Sequence, residues 1–347
     1  MCIEQAHHTD EESTFQPIFV VGNSRSGTTL MATILGRHPL VFRFEELHFF
    51  EELWNAKDGD DSCSRDQAIA LVAKLLDIQR NGYLTRKDWH SFCSEADQAI
   101  GPLIAPIPIT KLFQLFLKYE TKLQKKQIAC DQTPQNVLYV KEILEYYPDA
   151  RIIHMVRDPR AVLLSQKKRW RRPFLAKNVP KKEVIRYWLN YHPITISQLW
   201  KANIRAMVRV AEDRRVCTLK YEDLLLRSVE ETQKICQFLG IDYQADLLEV
   251  PQVNSSNEED RPEKRGIDRQ RANIWREGGL NQVELYWCQQ INRSLMTKYD
   301  YCSQDISPNP VSLLISAILC PIKLSFAILF SLRRMKSLGE AVRRRLS

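Results

Sequence analysis

Four short, mainly apolar runs, at 18–21, 127–130, 151–156 and 216–220, read as buried strands, and each leads into a turn or a helix signal. Between and after them the apolar positions recur at helical spacing. This predicts helices over 28–37, 65–80, 110–125, 135–147, 160–171, 181–212, 223–239 and 282–298. Strands alternating with helices imply an α/β chain with a central parallel sheet flanked by helices. Ligands of such sheets bind at the carboxyl ends of the strands, which here puts the loops after Val21 and Val156 in play. Residues 251–281 are polar, charged and short of apolar periodicity, and read as a long surface segment of the kind that carries function. The pattern divides the chain into a frayed lead-in (1–14), one large domain (15–300) and a hydrophobic C-terminal segment with a basic tail (301–347).

Hydropathy changes most sharply in that last segment. Residues 311–332 contain one charge, Lys323, and one proline, Pro321, in a stretch long enough to reach across a bilayer. As a helix, its Ser312, Ser316 and Lys323 share one face. The central proline and lysine suit an in-plane or kinked membrane segment better than a simple span, and a helix packed on the core fits as well. Residues 333–347 then carry six basic residues and one acidic one, a tail suited to an anionic cytoplasmic leaflet. Membrane contact through 311–347 is therefore expected, peripheral or as a C-terminal anchor with the tail on the cytoplasmic side. That tail holds +5 of the net charge of +8, so the body is only about +3 and does not read as a nucleic-acid binder. Nine cysteines without a CxxC pair or zinc spacing point to reduced thiols, a cytoplasmic setting and no metal site. The acidic, polar N-terminus does not read as a signal peptide.

Candidate chemistry begins at residues 19–30, FVVGNSRSGTTL. A strand breaks into a glycine-bounded turn and resumes as a helix, the arrangement that cradles phosphate. Gly22-x4-Gly27 keeps the loop length of a nucleotide-binding P-loop, but Thr28 stands where its lysine belongs and Arg25 lies inside the loop. The N–H groups of Ser26 to Thr29 at a helix start still suit an anion, and the Thr28 and Thr29 hydroxyls add donors. Without the lysine, magnesium–ATP chemistry is disfavoured, and the rivals are a P-loop kinase or nucleotide-binding protein and a non-catalytic membrane-surface protein. At 156–165, VRDPRAVLLS, a second strand meets a helix with Asp158 as N-cap and Pro159 at its first position. That leaves Arg157 at a strand end and Ser165 two turns along the helix.

The pair GNSRSGTTL and RDPRAVLLS resembles the sulfotransferases that use 3′-phosphoadenosine 5′-phosphosulfate, and is closest to the tyrosylprotein, Golgi carbohydrate and similar bacterial branches. The resemblance spans residues 17 to about 290. It implies a P-loop-like three-layer sandwich, a sulfotransferase domain over 15–300, and no metal. It implies that Asn23, Ser24, Arg25, Ser26, Gly27, Thr28 and Thr29 grip the 5′-phosphosulfate, and that Arg157 and Ser165 grip the 3′-phosphate. The acceptor is then a hydroxyl of a carbohydrate, tyrosine, lipid or small metabolite. In the tyrosylprotein branch the base is the second glutamate of a pair 21 positions beyond the loop arginine, which lands on Glu46 within HPLVFRFEELHFFEEL (38–53). The alternative to a catalytic group there is a solvated helix face. Desolvation by Phe42, Phe44 and Phe49 is expected to raise the pKa of Glu46. Glu45 is placed to orient the acceptor, and His48 is the second choice of base.

The chain departs from related enzymes at CDQTPQN (130–136), where Gln132 replaces a lysine. Lys141 and the basic run 167–172 are the candidates to supply the missing cation. That run also reads either as a solvated helix end or as a rim attracting an anionic acceptor. Finally, VCTLKYEDLL (216–225) resembles a segment that shapes the cofactor site through Tyr221 and Glu222. RQRANIWREGG (269–279) resembles a loop closing over the nucleotide, with Arg271 or Arg276 as phosphate contacts.

Overall fold

A computed structural model describes residues 15–54, 61–84, 88–171, 174, 183–253 and 261–331. The expected lead-in (1–14), Arg172 and the basic tail (333–347) lie outside the described residues. Five parallel strands form the central sheet: β1 (Ile18–Gly22), β2 (Val41–Arg43), β3 (Ile128–Asp131), β4 (Arg151–Val156) and β5 (Val216–Lys220), in the order β2-β3-β1-β4-β5. β1 is buried along its whole length because it pairs on both sides, Phe19 with Asp131 and Gly22 with Met155. The chain leaves β1 toward the β2 edge and later crosses to β4 on the other side. Its carboxyl end is therefore the switch point where such sheets open a crevice.

Alternation along β1 separates two cores and makes the three layers. Phe19 and Val21 face one core with Phe44, Phe49, Phe113 and Phe116, while Ile18 and Val20 face the other with Met31, Ile34, Leu35 and Leu224. The first core is built largely from rings, including Phe49 stacked on Phe113 at 4.1 Å. It anchors the segment that carries Glu46 and His48. Fully burying Phe49 and Phe50, immediately after His48, stabilises that segment by about 1.5–3 kcal/mol each.

Helix α1 (Thr28–Gly36) follows the first loop. Helices α2 (Arg65–Asn81), α3 (Cys93–Ile100) and α4 (Ile109–Leu123) cover the aromatic core. The run expected at 135–147 is a 3-10 turn, Pro134–Tyr139, followed by α5 (Val140–Tyr146). Helix α6 (Pro159–Lys167) stops short of 171 and ends in a 3-10 turn, Arg169–Arg171. The helix expected at 181–212 is two, α7 (Glu183–Asn190) and α8 (Pro193–Val208). Proline inside a helix costs about 3 kcal/mol, so the chain restarts at Pro193, with the His192 side chain accepting from the Ile194 N–H at 3.3 Å. Likewise 223–239 divides into α9 (Tyr221–Leu226) and α10 (Ser228–Leu239). Helix α11 (Gln282–Lys298) has the expected bounds, set by a capping box between Asn281 and Glu284. The last helix, α12 (Pro310–Ser331), packs beside α7 and α8. The edge strand β2 and helix α3 were not foreseen. At three residues, β2 is too short to show a period.

Candidate active site

The carboxyl ends of β1, β3, β4 and β5 deliver residues 23–27, 132–133, 157–158 and 221 to one edge of the sheet. A cleft of about 940 Å³, partly open to solvent, runs there between Ser24, Arg25, Gly27, Thr28 and Thr29 on one side and Val250–Gln252 with Gly266–Asp268 on another. Glu46, Arg157, Arg169, Tyr221 and Arg271 also line it. A second hollow, lined by Gln16, Arg151, Arg214 and Arg215, lies at the amino ends of the strands, away from these loops.

The first loop is braced from within. Ser26 donates through both its backbone N–H (3.0 Å) and its hydroxyl (2.5 Å) to the Asn23 carbonyl. Asn23 and Ser26 are buried and do not line the cleft. The two Ser26 bonds shape the turn, while Asn23 Nδ2 is buried without a hydrogen-bond partner among the described residues. The N–H groups of Gly27, Thr28 and Thr29, which begin a helix and have no acceptor within it, are the ones positioned for an anion. Gly27 sits at φ 94°, and a Cβ there would drive into the Tyr221 ring.

The second motif forms as the sequence suggested. Asp158 accepts from the Arg160 N–H at 2.9 Å and pairs with the buried Arg160 guanidinium at 2.7 Å. Asp158 is thus occupied, and Arg157 is left over. Its guanidinium, 8% exposed, lies over the Tyr221 ring at 4.2 Å and donates to two carbonyls, Arg25 O at 3.0 Å and Arg271 O at 3.4 Å. Among the described residues it makes no ion pair, and its Nε has no hydrogen-bond partner. Arg25 Nε donates to Ser165 Oγ at 3.0 Å, so the two loops are joined across 140 residues of sequence. Ser165 meets the cleft through that arginine. Glu222 braces the junction from below, accepting from the Asp158 N–H at 3.0 Å and from Tyr301 at 2.9 Å.

Glu46 faces the cleft with 42% of its side chain exposed. His48, turned back by a left-handed φ of 51°, places Nε2 3.5 Å from Glu46 and Nδ1 3.2 Å from Glu51. The Tyr83 ring packs on the imidazole at 4.0 Å. Burial favours neutral His48, but its hydrogen bonds to the two carboxylates prevail and raise its pKa to about 10. Burial likewise pushes Glu46 up. The His48 hydrogen bond and charge, together with Arg169 and the Gln132 amide, outweigh it and hold the carboxyl below its ordinary range. This corrects the expected upward shift, because the phenylalanines pack beneath the segment while an imidazolium sits against the carboxylate. It also leaves His48 protonated near neutral pH and unable to accept a proton as a base. Glu45 is exposed, pairs with Arg43 at 3.0 Å and does not line the cleft.

Gln132 is buried between Thr28 Oγ1 (3.5 Å) and Glu46 Oε1 (3.4 Å). Just beyond it, Thr133 donates to Asp131 at 2.8 Å and accepts from the Leu47 N–H at 3.0 Å, tying β3 to the segment that carries Glu46. Burial pushes Asp131 up to about 7, against the opposing hydrogen bonds from Thr133 and Asn136. Among the described residues, Arg169 is the one proposed replacement cation that lines the cleft, with its guanidinium 4.4 Å from the Tyr187 ring. Lys141 is exposed away from it, and Lys167 pairs with Glu284 at 2.8 Å. Arg169 lies beyond the end of α6, in the 3-10 turn Arg169–Arg171, and nothing in its spacing set it apart from the rest of the basic run. Arg271 lines the cleft and pairs with Asp268 at 3.1 Å, whereas Arg276 is exposed against Trp275.

A family model described as "Sulfotransferase family" matches residues 17–245. An uncharacterized protein of Aquifex aeolicus is 30% identical over 153 residues, covering 43% of this chain and 16% of its own length. A putative protein-tyrosine sulfotransferase of Caenorhabditis briggsae is 26% identical over 235 residues, covering 67% of this chain and 68% of its own. The sulfotransferase domain of the olefin synthase of Synechococcus PCC 7002 shares the fold, with a TM-score of 0.51 at 19% identity over 84% of this chain and 98% of that domain. The chain belongs to the sulfotransferase family.

Proposed function

We propose that the protein transfers a sulfuryl group from 3′-phosphoadenosine 5′-phosphosulfate to a hydroxyl of an acceptor, with Glu46 as the base. The observation that carries this reading is Arg157, a buried guanidinium beside the cleft that makes no ion pair among the described residues. A buried guanidinium that has the Glu222 charge nearby but no direct ion pair is costly, and a bound phosphate would pair it. A second anion position lies at the start of α1, and Arg25 bridges the two through Ser165. A donor carrying phosphate at both ends offers an anion to each position, the 3′-phosphate to Arg157 and Ser165 and the phosphosulfate to the loop.

In the transfer, the acceptor oxygen bonds to sulfur while the bond from sulfur to the 5′-phosphate oxygen breaks. The acceptor proton passes to Glu46, which His48 keeps ionised beforehand. Negative charge gathering on the departing bisphosphate is met by Arg25, the Thr28 and Thr29 hydroxyls and the helix N-terminus. Arg169 stands near Glu46 as the cation that Gln132 does not supply. The basic rim favours an anionic acceptor.

Thermal stabilisation by 3′-phosphoadenosine 5′-phosphate, compared with magnesium–ATP, tests the reading. At about 100 times its Kd the bisphosphate should add roughly 2.7 kcal/mol. Arg157→Ala should abolish that gain while the protein stays folded. Stabilisation by magnesium–ATP alone, or by neither ligand, would overturn the assignment. Full transfer of labelled sulfate by Glu46→Gln would overturn the choice of base.

A further inference from the structure

We propose that α12, with the adjoining face of α7, docks in the plane of an anionic lipid membrane. The helix is inside out for a water-soluble protein. An amphipathic helix turns its large apolar residues to the core and its small or polar ones to water. Here Ser316, Ala317, Cys320, Lys323 and Ala327 lie toward the body together with Leu313 and Ile328, while Leu314, Ile315, Ile318, Leu319, Ile322 and Phe326 are 46–62% exposed. Mean hydropathy over Pro310–Ile328 is 2.1. On α7, Ile185 and Trp188 are 58% and 56% exposed, so the apolar surface continues beyond one helix.

The inward face is latched rather than loosely stacked. Lys323 Nζ donates to the Tyr191 carbonyl at 3.2 Å and lies 4.3 Å from the Trp188 ring centre. Cys320 Sγ is 3.8 Å from Thr195 Oγ1. A spanning helix would have to leave these contacts and carry Lys323 and Pro321 to mid-bilayer, whereas an in-plane helix keeps them. A lipid surface is favoured over a second copy of the chain by two features. The outward side chains of α12 are mainly large aliphatic or aromatic groups, interrupted by Ser312, Pro321 and Ser325, with an exposed indole at the margin. The sequence that follows carries six basic residues against one acidic, complementary to anionic headgroups. The α7 helix that presents Trp188 also stacks Tyr187 on Arg169, so the docked face adjoins the cleft.

Vesicle flotation of the full-length protein tests this, using phosphatidylcholine with and without phosphatidylserine. The protein should partition into the anionic vesicles. Leu314→Glu/Ile318→Glu/Ile322→Glu should lose roughly tenfold or more of that partitioning with an unchanged melting temperature. Genetically encoded fluorophores at positions 311, 318 and 326 should report one shallow depth by lipid-borne quenchers. A depth that increases steadily along the helix would mean that it spans. Failure to partition, with a dimer in solution that the triple substitution dissociates, would mean that a second copy covers the face. Either result overturns the proposal. Arg157→Ala should partition like the wild type, so failure of docking and failure of the donor assignment are read separately.

Discussion

Replacing His48 with glutamine removes a positive charge 3.5 Å from the Glu46 carboxylate and leaves the burial of that carboxylate in place. Coulomb attraction at that distance amounts to about 1.2 kcal/mol at the dielectric constant of water and about 4.7 kcal/mol at an effective value of 20. Glu46 is 42% exposed to the cleft, so the lower part of that range applies. The Glu46 midpoint should therefore rise in His48→Gln, with Arg169 and Gln132 still opposing burial. Carboxyl ¹³C NMR titration reads this directly without an acceptor, with Glu46→Gln assigning the resonance. In the wild type, the His48 imidazole should stay protonated through neutral pH and titrate near 10. A Glu46 midpoint indifferent to His48→Gln, or an imidazole titrating near 6.5, would refute the reasoning. The same substitution should move the acid limb of the transfer rate to higher pH, because the base must be ionised to act.

Two further outcomes follow from the same geometry. His48 has a folded-state pKa raised above its unfolded value, so its stabilising contribution is complete below pH 6.5 and is lost as pH rises through about 10. Urea midpoints of the wild type should fall across that window, and those of His48→Gln should fall less. Gly27→Ala places a Cβ at φ 94° against the Tyr221 ring and should cost about 1–3 kcal/mol. Calorimetry should show a Tm several degrees lower, together with weaker bisphosphate binding as Tyr221 is pushed toward Arg157. An unchanged Tm would mean that the loop relaxes freely.

Elements whose physics is local could be read directly from the residues. The apolar run of β1, the helix start after Gly27 and the Asp158-Pro159 cap depend on neighbours within a few positions. The break at Pro193 is local as well; an uninterrupted apolar pattern masked it. The two anion-binding motifs were legible for the same reason, but the role of Arg157 came from the resemblance, and only the structure shows Asp158 paired with Arg160 instead. Charge state was not legible. Whether burial or an ion pair governs Glu46 depends on a separation of 3.5 Å, created where the backbone reverses at His48 and where Phe49 and Phe50 anchor in the aromatic core. Nor could composition distinguish Arg169 from the other basic residues around it, since only folding turns one of them toward Glu46. The apolar character of 311–332 was plain, but which face meets the protein is a matter of packing. A helix apolar nearly all round carries no period to choose a side. The sequence by itself determined four of the five central strands, several helix starts and the chemical groups available. Only the tertiary structure decided which of those groups stand within a few ångströms, because Coulomb and desolvation energies depend on distance and burial rather than on order along the chain.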